Sequence, residues 1–143
     1  MDQPEHIMLS VDDVMKSDIK IIDFGLATIH KQKDPPMSAI AGSAFTLAPE
    51  VLKRSYGREC DLWSVGVITY FLLTSQMPFN GKNNKEIFDK VMNGWYQFPL
   101  WADTGLTETA KVFVSRLLVV DPQHRMTAED ALAHQWIRGT REP

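Results

Sequence analysis

The sequence predicts a mainly α domain with one short N-terminal two-stranded β ribbon, on three observations. First, the stretch from Asp61 to Thr74, DLWSVGVITYFLLT, is apolar on every face, interrupted only by the small residues Ser64 and Thr69. A helix without a polar stripe is buried on all sides, and this one is far short of the about 20 residues that span a bilayer. Second, the chain beyond it carries apolar residues at helical spacing behind recognisable start signals. Third, two short apolar runs near the N-terminus flank a polar, turn-rich link, the pattern of paired strands.

Taken in order, HIML at residues 6–9 and the β-branched IKII at 19–22 are the two strands, with SVDDVMKSD between them. A lone two-stranded ribbon is marginal in water, so this one is expected to lie on the helices. From Asp23-Phe24-Gly25 to Ala48-Pro49-Glu50 no periodic element appears, and a structureless span of that length is usually functional or a disordered surface loop. Pro49 to Lys53 reads as one or two short turns. In the central helix, Gly66 costs about 1 kcal/mol against Ala, which makes sense where a neighbour sits close.

After the loop QMPFNGKNN, Asn83 or Asn84 caps a helix that runs through Asn93, with Glu86 as a capping-box partner. Ile87, Phe88, Val91 and Met92 share one face, and Gly94 stops the helix. The aromatic connector GWYQFPLWADTG is expected to pack on the core. Thr107 caps a further helix carrying Ala110, Phe113, Val114, Leu117 and Leu118, ended by Asp121-Pro122. Thr127 and Asp130 open a last helix, through Trp136, before a frayed tail.

Bulk properties narrow the class. The 143 residues suit one domain, and 44% hydrophobic with 23% charged residues exclude a disordered or membrane-spanning chain. A net charge of −3 gives no reason to expect nucleic acid or an anionic membrane as partner. The single cysteine, Cys60, rules out an internal disulfide, suits a reducing, cytoplasmic location, and reads as a packed, inert thiol. No signal peptide is visible in MDQPEHIML.

Asp23-Phe24-Gly25 and Ala48-Pro49-Glu50 are weak triplets singly. In this order, with IKII ahead of the first, they resemble the activation segment of a eukaryotic protein kinase. DLWSVGVITYFLLT is similar to that family's central C-terminal-lobe helix, and MPFNG, LLVVDPQHRMTAEDAL and HQWI are similar to its last helices. The likeness runs from Pro4 to Ile137, and AGSAFTLAPEVL and GWYQFPLW resemble the calcium/calmodulin-regulated and calcium-dependent group most.

The resemblance implies that residues 1–143 are a partial kinase domain, its C-terminal lobe from the end of the catalytic loop onward. It implies ATP and Mg²⁺ as cofactors and a protein substrate or regulatory protein as partner. Asp23 would hold Mg²⁺, since a hard cation prefers carboxylate oxygen. Phe24 would be the packing element that sets active or inactive, beside Gly25, and Ser43 would fall in the loop that faces the protein substrate's hydroxyl. Glu50 is similar to the glutamate that pairs with a late arginine, here Arg125, a clamp whose breakage costs about 3–5 kcal/mol if buried. Asp61 is similar to the aspartate that caps the catalytic loop. Glu50, Asp61 and Arg125 read as structural.

The same alignment shows departures. The proton-accepting aspartate falls on Met1, the phosphate-neutralising lysine on Gln3, and the second metal-binding asparagine on His6. A thioether accepts no proton from a hydroxyl, and a neutral amide does not replace an ammonium. Imidazole suits Mg²⁺ poorly, so His6 reads as a strand-edge residue. The 143 residues hold no Gly-rich loop, strand lysine or His-Arg pair ahead of the catalytic-aspartate position, so the N-terminal lobe is expected to be absent and the chain alone inactive. Uncovered apolar surface around Leu62, Val65, Tyr70 and Leu73 is expected to promote self-association.

Overall fold

A computed structural model describes residues 7–10, 17–31 and 33–139. Its elements run β1 (Ile7–Leu9), β2 (Ile19–Ile21), α1 (Pro49–Leu52), α2 (Glu59–Thr74), α3 (Asn84–Asn93), α4 (Ala102–Gly105), α5 (Glu108–Leu117), α6 (Ala128–Ala133) and α7 (Gln135–Gly139). The expected mainly helical fold with one antiparallel ribbon is present, in the register Ile7↔Ile21, Met8↔Lys20 and Leu9↔Ile19.

The core forms around α2. Trp63 and Val67 are fully buried there with Phe79, Val91 and Val114, and Trp63 stacks on Phe79 at 5.3 Å between centroids. Gly66 is the point of closest approach to α5. A Cβ on it would lie 2.8 Å from Leu117 Cβ and 2.9 Å from Leu118 Cδ2, so only glycine lets the two helices meet. Phe113, Leu117 and Met126 form a second cluster, on which Trp136 and Ile137 rest.

Burial of α2 is one-sided, however. Trp63, Gly66, Val67, Tyr70 and Thr74 face the core, whereas Val65 is 43% and Leu72 70% exposed. An all-apolar pattern carries no information about which face finds neighbours. Tyr70, expected near the surface, is buried instead. Its hydroxyl donates to Gln97 O at 2.8 Å, and its ring meets Tyr96 and Phe98. Leu62 and Leu73 are half-buried. The ribbon is also uncovered, with every residue of β2 exposed. The aromatic connector divides likewise: Tyr96 and Phe98 pack on the core, while Trp95, Leu100 and Trp101 face solvent.

The caps follow the sequence with local changes. Asn83 is the cap of α3 and accepts from Glu86 N at 3.0 Å, and Gly94 closes the helix at φ 62°, a conformation glycine adopts without strain. Glu86 does not complete the box; its Oε2 accepts from Lys82 N at 2.9 Å, one residue before the cap. Thr107 caps α5 as expected, accepting from Ala110 N. That helix stops at Leu117, earlier than Asp121, because side chain and backbone of the returning turn take its next carbonyls: Met126 N donates to Arg116 O and Arg125 Nε to Val119 O. The last helix is two helices. Thr127 caps α6, and His134, in extended backbone, breaks the run and accepts from Trp136 N to start α7. Histidine is not a favoured cap, so sequence gives no warning of it.

Replacing Gly66 by Ala is expected to destabilise the chain by about 1–3 kcal/mol through overpacking against Leu117 and Leu118. Urea unfolding of Gly66→Ala, set beside Gly139→Ala, where an added Cβ meets nothing within 4 Å, measures it.

Candidate functional site

Immediately after β2 the backbone turns sharply. Asp23 sits in the left-handed region at φ 63°, an uncommon conformation for a residue with a side chain, and its Oδ1 accepts from Gly25 N at 3.1 Å. Phe24 is 69% exposed and Ile29 89%, so neither ring nor chain enters the core. Lys31 N donates to Asp34 Oδ2 at 2.7 Å, closing the next turn.

Two ties then fasten the loop to the helical body. Met37 and Tyr56 form an isolated antiparallel bridge, and the Tyr56 hydroxyl donates to Ala39 O at 2.7 Å. Further on, Ser43 O accepts from Thr46 N and Leu47 N, and Ser64 Oγ on α2 donates to Thr46 O at 3.1 Å. Between the ties, residues 38–42 are exposed, while Ser43 is half-buried. Tyr56 was not identifiable as an anchor from the sequence, because its partners lie far away along the chain and no periodic pattern links them. Ser64 was visible only as a small interruption of an apolar helix.

The clamp lies directly behind this loop. Glu50 on α1 and Arg125 are each 4% exposed, and the guanidinium grips the carboxylate with two bonds, Nη1 to Oε1 at 2.6 Å and Nη2 to Oε2 at 2.9 Å. Arg125 also donates to Glu59 O at 2.7 Å and Val119 O at 3.1 Å, and lies 5.2 Å over the Trp63 ring. This is a fork geometry that lysine does not reproduce.

Loop and helices enclose a cleft of about 460 Å³ whose wall includes Asp23, His30, Thr46, Arg58, Cys60 and Asp61. Burial raises the pKa of Asp61 above the ordinary carboxylate value, partly offset by the contact from Cys60 Sγ at 3.9 Å. Burial, with Asp61 beside it, pushes the Cys60 thiol up to about 12, so it is protonated and unreactive at neutral pH, in keeping with a packed thiol.

The structure thus brings Asp23 and Asp61 to one cleft and joins Glu50 to Arg125. Met1, Gln3 and His6 lie outside the described residues. Among the described residues no three His, Cys, Asp or Glu side chains gather as a metal site. Asp23 offers one carboxylate, with an oxygen already accepting from Gly25 N. That is short of the oxygen set Mg²⁺ requires, so the described residues alone do not fit the ion with its nucleotide. No helix among them is long and apolar enough to cross a membrane.

Comparison with known proteins agrees with this geometry. The protein kinase domain family matches residues 3–137. Calcium/calmodulin-dependent serine/threonine-protein kinase 1 of Oryza sativa subsp. japonica is 46% identical over 140 residues, which cover 98% of this chain and 23% of the relative. Calcium-dependent protein kinase 21 of Arabidopsis thaliana is 41% identical over 141 residues, 99% of this chain and 26% of the relative. Calcium-dependent protein kinase 4 of Plasmodium berghei is 41% identical over 136 residues, 95% and 26%. The chain therefore spans about a quarter of the length of these relatives.

Glu50→Gln leaves the Arg125 charge buried without a counter-charge and is expected to cost about 3–5 kcal/mol in urea unfolding. The double replacement Glu50→Leu, Arg125→Met is expected to recover most of that loss; a double variant as unstable as the single one contradicts this account. For Cys60 the sign follows from a pKa that is higher folded than unfolded. Below 9.0 the thiol is neutral in both states; above it the unfolded thiol ionises first, so its contribution is lost as pH rises from 9.0 to about 12. The Tm of the unaltered chain is expected to fall relative to that of Cys60→Ala across this window.

Proposed function

The chain belongs to the protein kinase domain family, and we propose that it is the helical C-terminal lobe of a Ser/Thr protein kinase of the calcium-dependent type, inactive in phosphoryl transfer by itself. The observation that carries this reading is the buried Glu50–Arg125 clamp, which ties the loop after Asp23-Phe24-Gly25 to the helical body. A clamp of this kind holds a substrate-facing loop whether or not the chemistry beside it is complete.

The longer kinase to which such a lobe belongs uses ATP with Mg²⁺ and a protein hydroxyl as acceptor. Its catalysis is almost wholly positioning and electrostatics. In this chain the positions of proton acceptor, phosphate-neutralising cation and second metal ligand hold Met1, Gln3 and His6, none of which performs the corresponding task. What remains is Asp23, the loop carrying Ser43, and a platform for a protein partner, in keeping with a cytoplasmic setting. Exposed Val65 and Leu72 on α2, with Ile19, Ile21, Phe24 and Leu26 ahead of it, supply apolar surface for self-association.

A second reading is favoured by Gln3 and His6 specifically, since loss of an upstream lobe does not by itself change residues in what is retained. On it, the chain is a kinase-derived binding module that docks a regulator or substrate without phosphotransfer. A reading frame upstream of Met1 that encodes a Gly-rich loop, a strand lysine and His-Arg-Asp selects the first reading; a promoter and start site at Met1 select the second.

Radiolabelled phosphate transfer by the 143-residue chain is expected to stay at background, with no thermal shift on adding Mg-ATP. Turnover within a few-fold of the relatives contradicts the inactivity. Sedimentation is expected to show concentration-dependent association, and a clean monomer at high concentration counts against it.

A further inference from the structure

The sequence contains two Asn-Gly pairs, Asn80-Gly81 and Asn93-Gly94, and the fold treats them differently. We propose that Asn80 is a site of spontaneous deamidation, converted through a succinimide into an aspartyl or isoaspartyl residue, while Asn93 is protected.

The chemistry requires only the chain and water. The Gly81 backbone nitrogen attacks Asn80 Cγ. A Cγ–N bond forms, the Cγ–Nδ2 bond breaks, and the Gly81 amide proton leaves with Nδ2 as ammonia. Water then opens the ring at either carbonyl, giving aspartate by one route and isoaspartate by the other. Because nitrogen and carbon are covalently tethered, the rate is set by how freely they reach an attack geometry.

At Asn93 both partners are tied down. The side-chain Nδ2 donates to Asp89 O at 2.7 Å, and Gly94 N donates to Val91 O at 3.1 Å, closing the end of α3. Attack there requires breaking both bonds and unwinding the cap. At Asn80 neither restraint exists. The residue is exposed in the loop ahead of α3, and among the described residues its side-chain amide and the Gly81 N–H make no hydrogen bond. The one contact at Asn80 is through its backbone carbonyl, which accepts from Lys90 Nζ at 2.6 Å and leaves Cγ free.

Conversion has a local structural effect. Gly81 lies so close to α3 that a Cβ on it would sit 2.7 Å from Glu86 Cβ. Isoaspartate lengthens the backbone by a methylene just there, which moves Asn80 O away from Lys90 and disturbs the bond from Lys82 N to Glu86 Oε2. A new carboxylate also appears on the rim of a groove of about 150 Å³ lined by Lys90, Trp95 and Tyr96, beside the one cation there.

The test holds the 143-residue chain at mildly alkaline pH, folded and in denaturant, and follows both sites by peptide mass mapping with isoaspartyl methyltransferase labelling. In the folded chain Asn80 is expected to convert at least about tenfold faster than Asn93. In denaturant the two are expected to convert at similar rates. Native isoelectric focusing is expected to show a new band one negative charge more acidic, absent from Asn80→Gln. Asn93 keeping pace with Asn80 in the folded chain, Asn80 remaining an amide there, or the acidic band persisting in Asn80→Gln each overturns the proposal.

Discussion

One guanidinium organises this molecule. Arg125 is gripped by Glu50 from α1, takes the Glu59 carbonyl at the start of α2 and the Val119 carbonyl beyond α5, and stacks over Trp63. Four hydrogen bonds from one rigid planar group therefore reach three separate pieces of chain, the farthest 75 residues away in sequence. Replacing a buried pair by apolar groups of equal volume is often neutral in energy. What the fork adds is a single permitted arrangement. The loop after Asp23 is held against the helices in that arrangement, and the cleft beneath it exists because the loop and the start of α2 are fixed relative to one another.

The second organising feature is the contact of α2 with α5 through Gly66. It sets the depth at which Trp63, Val67 and Val114 interlock and leaves the far side of α2 open. Trp63 thereby serves two functions: its ring stacks with Phe79 and also meets the Arg125 guanidinium, so the hydrophobic core and the ion pair share a wall. A change in either is felt by the other without any intervening element.

Much of this was legible in the residues. Asn83, Thr107 and Thr127 announce their helices because a side-chain oxygen beside a periodic apolar run does one physical job. The pairing of Glu50 with Arg125, though, came only from resemblance, since nothing local connects the two. The misplaced features share a cause. Tyr70 and Leu72 lie on an all-apolar helix, where pattern cannot separate inner from outer faces. The end of α5 is decided by atoms of the returning chain, and the break at His134 by a local bond from Trp136 N to its ring, a capping role histidine seldom takes. Tyr56 and Ser64 hold the candidate site through backbone carbonyls of Ala39 and Thr46, and a carbonyl leaves no mark in an amino-acid sequence.

The bridge between Met37 and Tyr56 has a dynamic consequence. It consists of two backbone bonds, Met37 N to Tyr56 O at 2.8 Å and Tyr56 N to Met37 O at 3.1 Å, reinforced by one phenol. Little of the segment between it and the Thr46 tie is buried, so unzipping those few bonds exposes scarcely any apolar area. A segment held by so few bonds and so little buried apolar area belongs to the low end of local stability, where opening does not require the helices to unfold. Among the described residues, the stretch between this bridge and the Thr46 tie is thus held by few bonds, and continuous burial begins at Thr46.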